Sequence, residues 1–132
     1  MMQCKSYSVN SETVIHGDLG IWNLLFTERH VFIIDMAEAR MGDRHFDLAA
    51  VITSSIPLTA SRTEMEKSLS LFERGYAQEQ GVWDNRRLFE QLHLWLLRGM
   101  LALVMDQGMS APNVSYIERQ LNILEEYKSL LV

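Results

Sequence analysis

The chain has 132 residues, which is enough for one modest hydrophobic core and too few for two ordinary domains. Hydrophobic residues make up 48% of the sequence and charged residues 22%, values that exclude wholesale disorder. The net charge is −5 and Lys and Arg do not cluster, which argues against nucleic acid as the main partner because phosphate binding depends on such clusters.

Cysteine usage and the N-terminus bear on the compartment. Cys4 is the only cysteine, so the sequence allows no intrachain disulfide, and we interpret Cys4 as an inert thiol in a reducing compartment. The first ten residues lack the apolar core of a signal peptide. The most apolar run, residues 94–105, contains Arg98 and Gly99 and is shorter than a bilayer span. We therefore expect a cytoplasmic protein with no membrane partner.

The first half of the chain predicts a short β element. Residues 1–13 are polar and predict a segment that precedes the domain, and an apolar run begins at Val14. Residues 24–26 and 31–34 are β-type runs, and the four residues between them predict a hairpin turn. Residues 36–42 are expected to form a loop.

The second half predicts four helices. The first begins at the acidic Asp43 and ends before Pro57. Ser61 and Glu64 have the form of a capping box, in which each side chain bonds a free backbone N–H of the other residue, and a second helix follows towards Gly81.

The third and fourth helices are predicted from caps and from hydrophobic spacing. Asp84 is a candidate N-cap for a helix that runs to about Gln107, and its second half is apolar nearly all round, which is typical of a buried central helix. Pro112 restarts the chain, and Ser115 and Glu118 predict a second capping box. The apolar stripe of this fourth helix is formed by Ile117, Leu121, Leu124, Tyr127 and Leu131.

Polar residues that suit phosphoryl transfer lie within residues 14–50. This reaction needs a metal ion at the phosphate oxygens, a group that orients or deprotonates the acceptor hydroxyl, and rigid placement of both. Asp18 could accept the proton of the hydroxyl, and His16 would brace the loop. Asn23 and Asp35 carry amide and carboxylate oxygens, which suit Mg²⁺.

These residues resemble the C-lobe signature of the aminoglycoside phosphotransferase family of small-molecule kinases. The resemblance is carried by His16-Gly17-Asp18-Leu19 with Asn23, by Ile34-Asp35, by Gly42-Asp43 and by Asp47-Leu48-Ala49. The family has the protein-kinase-like fold and includes kinases of the choline and homoserine type. The first motif parallels the catalytic loop of protein kinases, and the second parallels their metal-binding D-F-G motif.

The resemblance implies a role for each matching residue. Asp18 would be the catalytic base, and Asn23 and Asp35 would bind Mg²⁺ together with ATP or GTP. Structural support of the catalytic loop would come from His16, from Asp47, which would bond the loop backbone, and from Asp43, which would tie down the loop after Asp35. The departures from the family pattern, including Met36 where many members have Trp or Phe, fall between these positions.

The implied fold is α+β and mainly α: the C-terminal lobe of a protein-kinase-like fold, with a small β-hairpin carrying the catalytic loop and about four helices packed on it. Residues 14–50 would hold the catalytic loop and metal site, and residues 51–132 the helical subdomain. Family members carry an N-terminal nucleotide-binding lobe, whereas 15 residues precede His16 here. We therefore expect a C-lobe with the N-lobe absent, which forms a homodimer or pairs with a polypeptide that supplies that lobe.

Two functions and several residue roles stay open. The chain could belong to a kinase that phosphorylates a hydroxyl of a small molecule, or it could be an inactive remnant that serves as an interaction module. Asp18, Asn23 and Asp35 could each be ordinary turn or cap residues. Trp22 could stack on a substrate or pack, and Glu38 could approach the metal or be solvated. The sequence favours core roles for Trp83 and Trp95 and gives no metal-ligand spacing for His30, His45 and His93.

Overall fold

The computed structural model describes residues 13–79 and 81–132, so the predictions for the polar N-terminal segment and for Cys4 lie outside the described residues. The described part begins with four strands, β1 (Thr13–Ile15), β2 (Leu24–Phe26), β3 (Val31–Ile33) and β4 (Arg40–Gly42). Its α-helices follow as α1 (Arg44–Ser55), α2 (Arg62–Gln78), α3 (Asn85–Gln107) and α4 (Ala111–Leu131). The described part is therefore α+β and mainly helical, as the sequence predicts.

The strands form two antiparallel pairs. Strands β2 and β3 make the predicted hairpin, with Leu24 opposite Ile33, and the Thr27 hydroxyl accepts a bond from the His30 N–H within the turn. Strands β1 and β4 also pair, with Thr13 opposite Gly42. The prediction that residues 36–42 form a loop is therefore wrong for the last three residues, because Arg40–Gly42 is a strand.

Side-chain caps fix three of the four helix starts where the sequence predicts them. The carboxylate of Asp43 accepts a bond from the His45 N–H at 2.9 Å, and the carboxylate of Asp84 accepts one from the Arg87 N–H at 3.0 Å. Ser61 and Glu64 form the reciprocal capping box. Each cap occupies a backbone N–H that the first turn of a helix leaves without a partner.

The predicted start of α4 is wrong. This helix begins at Ala111 with Ser110 as its N-cap, and Ser115 lies inside the helix, so it cannot form the expected capping box with Glu118. Pro112 occupies the first turn, where its missing N–H costs nothing because that position makes no intrahelical bond. The helix therefore starts before the proline instead of after it.

Helix α3 lies between α1 and α4 and contributes to two clusters of buried side chains. In the larger cluster, Ile52 of α1 packs with Leu88 and Leu92 of α3 and Tyr127 of α4, and each is at most 1% exposed. In the smaller cluster, Leu96 and Met100 of α3 pack with Leu124. Burial raises the pKa of the Tyr127 hydroxyl.

Two expectations about buried faces are wrong. The second half of α3 is not buried all round, because Leu101 is 54% and Met105 86% exposed. In α4, Leu121 is 47% exposed although it belongs to the predicted apolar stripe, and the neighbouring Gln120 is buried. Hydrophobicity alone does not reveal how far the neighbouring helices extend along each face.

One helix among the described residues, α3, is long and apolar enough to cross a membrane, judged by length and composition. The run over residues 94–105 is only part of this 23-residue helix, so the expectation that it is too short for a bilayer does not hold for the helix as a whole. Core helices of globular proteins pass the same test, and one such helix is weak support for a membrane span.

Candidate active site

The backbone of the loop that leads to Asp18 is held by Asp47, which lies in the first turn of α1. One oxygen of the Asp47 carboxylate accepts a bond from the His16 N–H at 2.7 Å, and the other accepts one from the Gly17 N–H at 2.9 Å. Hydrogen bonds to a charged acceptor are stronger than neutral ones, and two of them fix orientation as well as position. Helix α1 thereby anchors the start of the candidate catalytic loop.

His16 joins this loop to the end of strand β3. Its side chain is buried, its Nδ1 accepts a bond from the Asp18 N–H at 3.2 Å, and its Nε2 lies 2.9 Å from the Ile34 carbonyl. Because Nδ1 is an acceptor, the ring proton lies on Nε2, which donates to Ile34. Both ring nitrogens are used inside the protein, which suits a bracing role.

Gly17 has a positive φ of 82°, a conformation that glycine adopts without strain. A Cβ atom at this position would collide with the Arg40 guanidinium and the Glu38 carbonyl. Conformation and space therefore both require glycine directly before Asp18.

Asp18 presents a partly exposed carboxylate to a pocket. Its Oδ2 lies 3.3 Å from the Asn23 Nδ2 and 3.4 Å from the Trp22 Nε1, and both nitrogens donate to it. Its Oδ1 lies 3.7 Å from a guanidinium nitrogen of Arg98. The side chain is 30% exposed and lines a cavity of about 290 Å³. A hydroxyl that enters this cavity can donate its proton to Asp18.

Asn23 and Asp35 are brought together by the hairpin. The Ile34 N–H donates to the Asn23 carbonyl at 3.0 Å, so Asp35 follows directly after the residue that pairs with Asn23 at the open end of β2 and β3. The Asn23 Nδ2 donates to the Asp18 carbonyl at 2.8 Å, so the Oδ1 atom is the one that can bind a metal. Asp35 has a φ of 59°, a positive value that non-glycine residues rarely adopt and that is found at functional sites.

This pair fits Mg²⁺, which binds a small number of protein oxygens and completes its shell with phosphate and water. Asn23 supplies an amide oxygen and Asp35 a carboxylate. Among the described residues, no group of three or more His, Cys, Asp or Glu side chains is placed to hold a metal. Any metal bound here would therefore depend on the amide and the carboxylate together with external oxygens.

Asp43 lies apart from these residues. Its buried carboxylate accepts bonds from the His45 backbone and ring, and two from the Arg87 guanidinium at 2.9 and 3.1 Å. Burial alone would raise the pKa of Asp43, but the bonds from His45 and Arg87 outweigh it and lower the pKa. The carboxylate thus connects the start of α1 to α3, and these bonds do not reach the loop after Asp35 that the resemblance led us to expect.

Arg98 is a site residue that the sequence interpretation treated only as an interruption of an apolar run. Its Nη1 donates to the Gly17 carbonyl at 3.0 Å, and its guanidinium lies 3.8 Å from the Glu38 carboxylate. The guanidinium also lies 5.4 Å from the ring centre of Trp95, a cation–π distance. A sequence signal existed, because Arg98 is the only Asp, Glu, Lys or Arg between residues 91 and 105.

The structure shows the contacts of Trp22, Glu38 and His45, whose roles the sequence left open. Trp22 stacks on Trp95 with ring centres 6.3 Å apart, yet Trp22 is 57% exposed and lines the Asp18 pocket. Glu38 pairs with Arg98, although its side chain remains 57% exposed. His45 is buried between Asp43 and the Asp84 N–H, so its ring has a structural role.

Comparison with known proteins identifies the family. A sequence model of the phosphotransferase enzyme family, APH, matches residues 9–95, well over half of the chain. The chain therefore belongs to this family, and Asp18, Asn23, Asp35 and Asp47 all lie within the matched region.

A curated relative is the protein LicA homolog of Mycoplasma capricolum subsp. capricolum. It is 36% identical to this chain over 47 residues, which cover 36% of this chain and 20% of that protein. The matched segment thus spans about a fifth of the relative's length. No solved structure matches the chain.

Proposed function

We propose that this chain forms the C-terminal lobe of a kinase that transfers the terminal phosphate of ATP or GTP to a hydroxyl group of a small molecule. The proposal rests on one observation: hydrogen bonds connect the loop of Asp18, which lines a pocket, to Asn23 and to the strand end before Asp35. The family match supports phosphotransferase chemistry. Placement of reactants is the main task of a protein in such chemistry.

Asp18 would bind and orient the acceptor alcohol. Its carboxylate is the acidic group of the 290 Å³ cavity, so a hydroxyl donor bound there meets it directly. The bonds from Asn23 and Trp22 to Oδ2 hold the carboxylate in place, and accepting the hydroxyl proton makes the substrate oxygen a better nucleophile.

Asn23 and Asp35 would hold Mg²⁺ bound to the nucleotide phosphates. The bound ion would neutralise charge on the phosphate oxygens. The Ala37 N–H donates to the Asp35 Oδ1 at 3.3 Å, which restrains the carboxylate from the side of the following turn. The His16 bond to the Ile34 carbonyl restrains the same strand end from the side of the catalytic loop.

The nucleotide would need a second surface, and the β2–β3 hairpin exposes apolar side chains on which such a surface could dock. Five side chains of this hairpin are each more than half exposed: Leu25, Phe26, Val31, Phe32 and Ile33. Contiguous exposed apolar groups favour association. We propose that a lobe, a partner polypeptide or a second copy of the chain docks on these side chains. We also propose a cytoplasmic location.

The alternative function is an interaction module that keeps the fold without catalysis. The same exposed apolar side chains of the hairpin favour it, because association through them needs neither Asp18 nor Asp35. The two functions differ in whether the chain recognises a nucleotide together with Mg²⁺.

The test is the melting temperature of the full chain with Mg²⁺, with nucleotide, and with both. A kinase lobe predicts that Mg²⁺ with ATP or GTP raises the melting temperature, because ligands that bind the folded state stabilise it. Asp35→Asn should abolish this increase, whereas Glu28→Gln, an exposed carboxylate in the hairpin turn, should retain it. An unchanged melting temperature in the parent would favour the interaction module.

A further inference from the structure

Gly99 lies in the interior of α3, where the protein's own structure gives no reason for glycine. Glycine in a helix interior costs about 1 kcal/mol relative to alanine. A Cβ atom added at Gly99 would meet nothing within 4 Å, and its φ is not positive, in contrast to Gly17. Neither close packing nor backbone conformation therefore requires a glycine here.

The space beside Gly99 connects two concavities. Gly99 lines the 290 Å³ pocket that contains Asp18 and also a groove of about 570 Å³ between α3 and α4. Ala102 and Tyr116 also line both the pocket and the groove, so these two spaces connect beside Gly99. The far end of the groove carries Asp106 and Asn113.

The groove lies beside the packed seam of the two helices. Met100, the residue after Gly99, packs with Leu124 and Leu96 and closes the seam. Successive helical positions point in directions about 100° apart, so Gly99 faces a different side from Met100. The opening at Gly99 is therefore not a defect of the α3–α4 packing.

We propose that the acceptor site extends along this groove and that Gly99 is a specificity-determining residue that keeps it open. The inference rests on the proposed function, because it takes the Asp18 pocket as the place where the acceptor hydroxyl binds. Gly99 and Asp106 are seven residues apart on one helix, which corresponds to about 10 Å along the axis. The acceptor is an elongated alcohol whose hydroxyl lies at Asp18 and whose second polar group lies about 10 Å beyond Gly99.

The lining defines the chemistry of this acceptor. Ala102, Leu103 and Tyr116 give the middle of the groove an apolar character, which suits a hydrocarbon-rich body. At the far end Asp106 offers carboxylate oxygens. The Asn113 Nδ2 donates one of its two N–H groups to the Gly108 carbonyl at 2.9 Å, so Asn113 keeps one N–H donor and its carbonyl oxygen. The carboxylate of Asp106 can only accept, and Asn113 can accept beside it, so a ligand with a donor such as an ammonium or a hydroxyl fits the far end.

The experiment compares two amino alcohols, ethanolamine and aminooctanol, whose binding to the full chain is measured by calorimetry. The parent should bind aminooctanol about tenfold more tightly than ethanolamine, because the longer chain buries more methylene groups. Gly99→Phe should abolish this preference for the longer alcohol, because the phenyl ring would fill the space that connects the pocket to the groove. Gly99→Ala should keep the preference and raise the melting temperature, since alanine favours the helix.

Gly75 provides the matched control. It also lies in a helix interior, in α2, and a Cβ atom there would also meet nothing within 4 Å. Gly75→Phe should leave the length preference unchanged. A second variant, Asp106→Asn, should remove the advantage of aminooctanol over octanol without removing octanol binding.

The outcomes separate the groove from the proposed function. A length preference that Gly99→Phe leaves intact, that Gly75→Phe removes equally, or that is missing in the parent would overturn the groove inference. Phosphate transfer to short alcohols without any length preference would overturn it while leaving the kinase proposal standing. A length preference lost only in Gly99→Phe, in a chain that transfers no phosphate, would support the groove and contradict the kinase proposal.

Discussion

The Nη1 atom of Arg98 donates a 3.0 Å hydrogen bond to the carbonyl oxygen of Gly17, and so links the middle of α3 to the residue directly before Asp18. Asp47 bonds the N–H of the same glycine from α1. Two helices thus hold the candidate catalytic loop: α3 bonds a backbone carbonyl of the loop, and α1 bonds its backbone N–H groups. Its position therefore depends on the packing of α1 against α3.

Replacing Arg98 should impair catalysis more than stability. Arg98→Met removes the bond to Gly17 and the charge beside Asp18, and we expect a fall in kcat of about a hundredfold, the size that a small misplacement of catalytic groups produces. The melting temperature should change little, because the Arg98 side chain is 43% exposed. Steady-state kinetics with an acceptor alcohol that the parent phosphorylates measure the first effect, and thermal unfolding measures the second.

The control for this variant is Arg86→Met on the same helix, whose side chain is 86% exposed and pairs with Glu90. It should leave kcat unchanged. Added guanidinium should restore part of the activity of Arg98→Ala, because the missing group is then supplied from solution. A kcat that falls equally in both methionine variants would contradict a positioning role for Arg98.

Replacing Asp47 should loosen the loop. In Asp47→Asn one carboxylate oxygen becomes an NH₂ group, which cannot accept the bond from the His16 or Gly17 N–H. A buried donor left without its partner costs about 1–3 kcal/mol. Hydrogen exchange should show loss of protection at these two amides, while Glu118→Gln, an exposed carboxylate on α4, should not. Unchanged exchange in Asp47→Asn would mean that the bonds do not restrain the loop.

Asp43 should give the fold an acid-sensitive stability. Its pKa in the folded state is lowered by the bonds from His45 and Arg87, although burial opposes them. The unfolded chain, with an Asp pKa of about 3.9, therefore binds the proton first as the pH falls. The contribution is fully present above the unfolded pKa and is lost as the pH falls through the folded pKa.

Asp43→Asn should remove this acid dependence and destabilise the protein by about 3 kcal/mol at neutral pH, because Arg87 loses its buried partner. Urea unfolding across the acid range measures both effects. Glu66→Gln, which breaks an exposed pair with Arg62, should cost less than about 1 kcal/mol. Parallel pH profiles for the parent and Asp43→Asn would show that Asp43 is not the source of the acid sensitivity.

The features that the sequence predicts correctly are those set by neighbouring residues. The caps at Asp43, Ser61 and Asp84 and the β2–β3 hairpin depend on contacts across a few positions, which a local pattern can reveal. The pairing of β1 with β4 joins Ile15 to Arg40 in strands of three residues, too short for an alternating pattern to be seen.

The same distinction applies to the site. Asn23 and Asp35 flank one hairpin, so sequence motifs can associate them, and the structure pairs Asn23 with Ile34, the residue before Asp35. Arg98 reaches Gly17 across 81 positions, and only the packing of α3 beside the loop shows that its charge belongs to the site. The catalytic and metal-binding roles of Asp18, Asn23 and Asp35 stay predictions that experiment must test.

The most direct test of the proposed kinase is phosphate transfer from ATP or GTP to a panel of small alcohols, measured with and without Mg²⁺ on the chain extended upstream by a nucleotide-binding lobe. The parent and Glu28→Gln are predicted to show the same Mg²⁺-dependent transfer, and Asp18→Asn is predicted to lower kcat by about a thousandfold through loss of the base. Equal rates in the parent and Asp18→Asn would contradict the role assigned to Asp18.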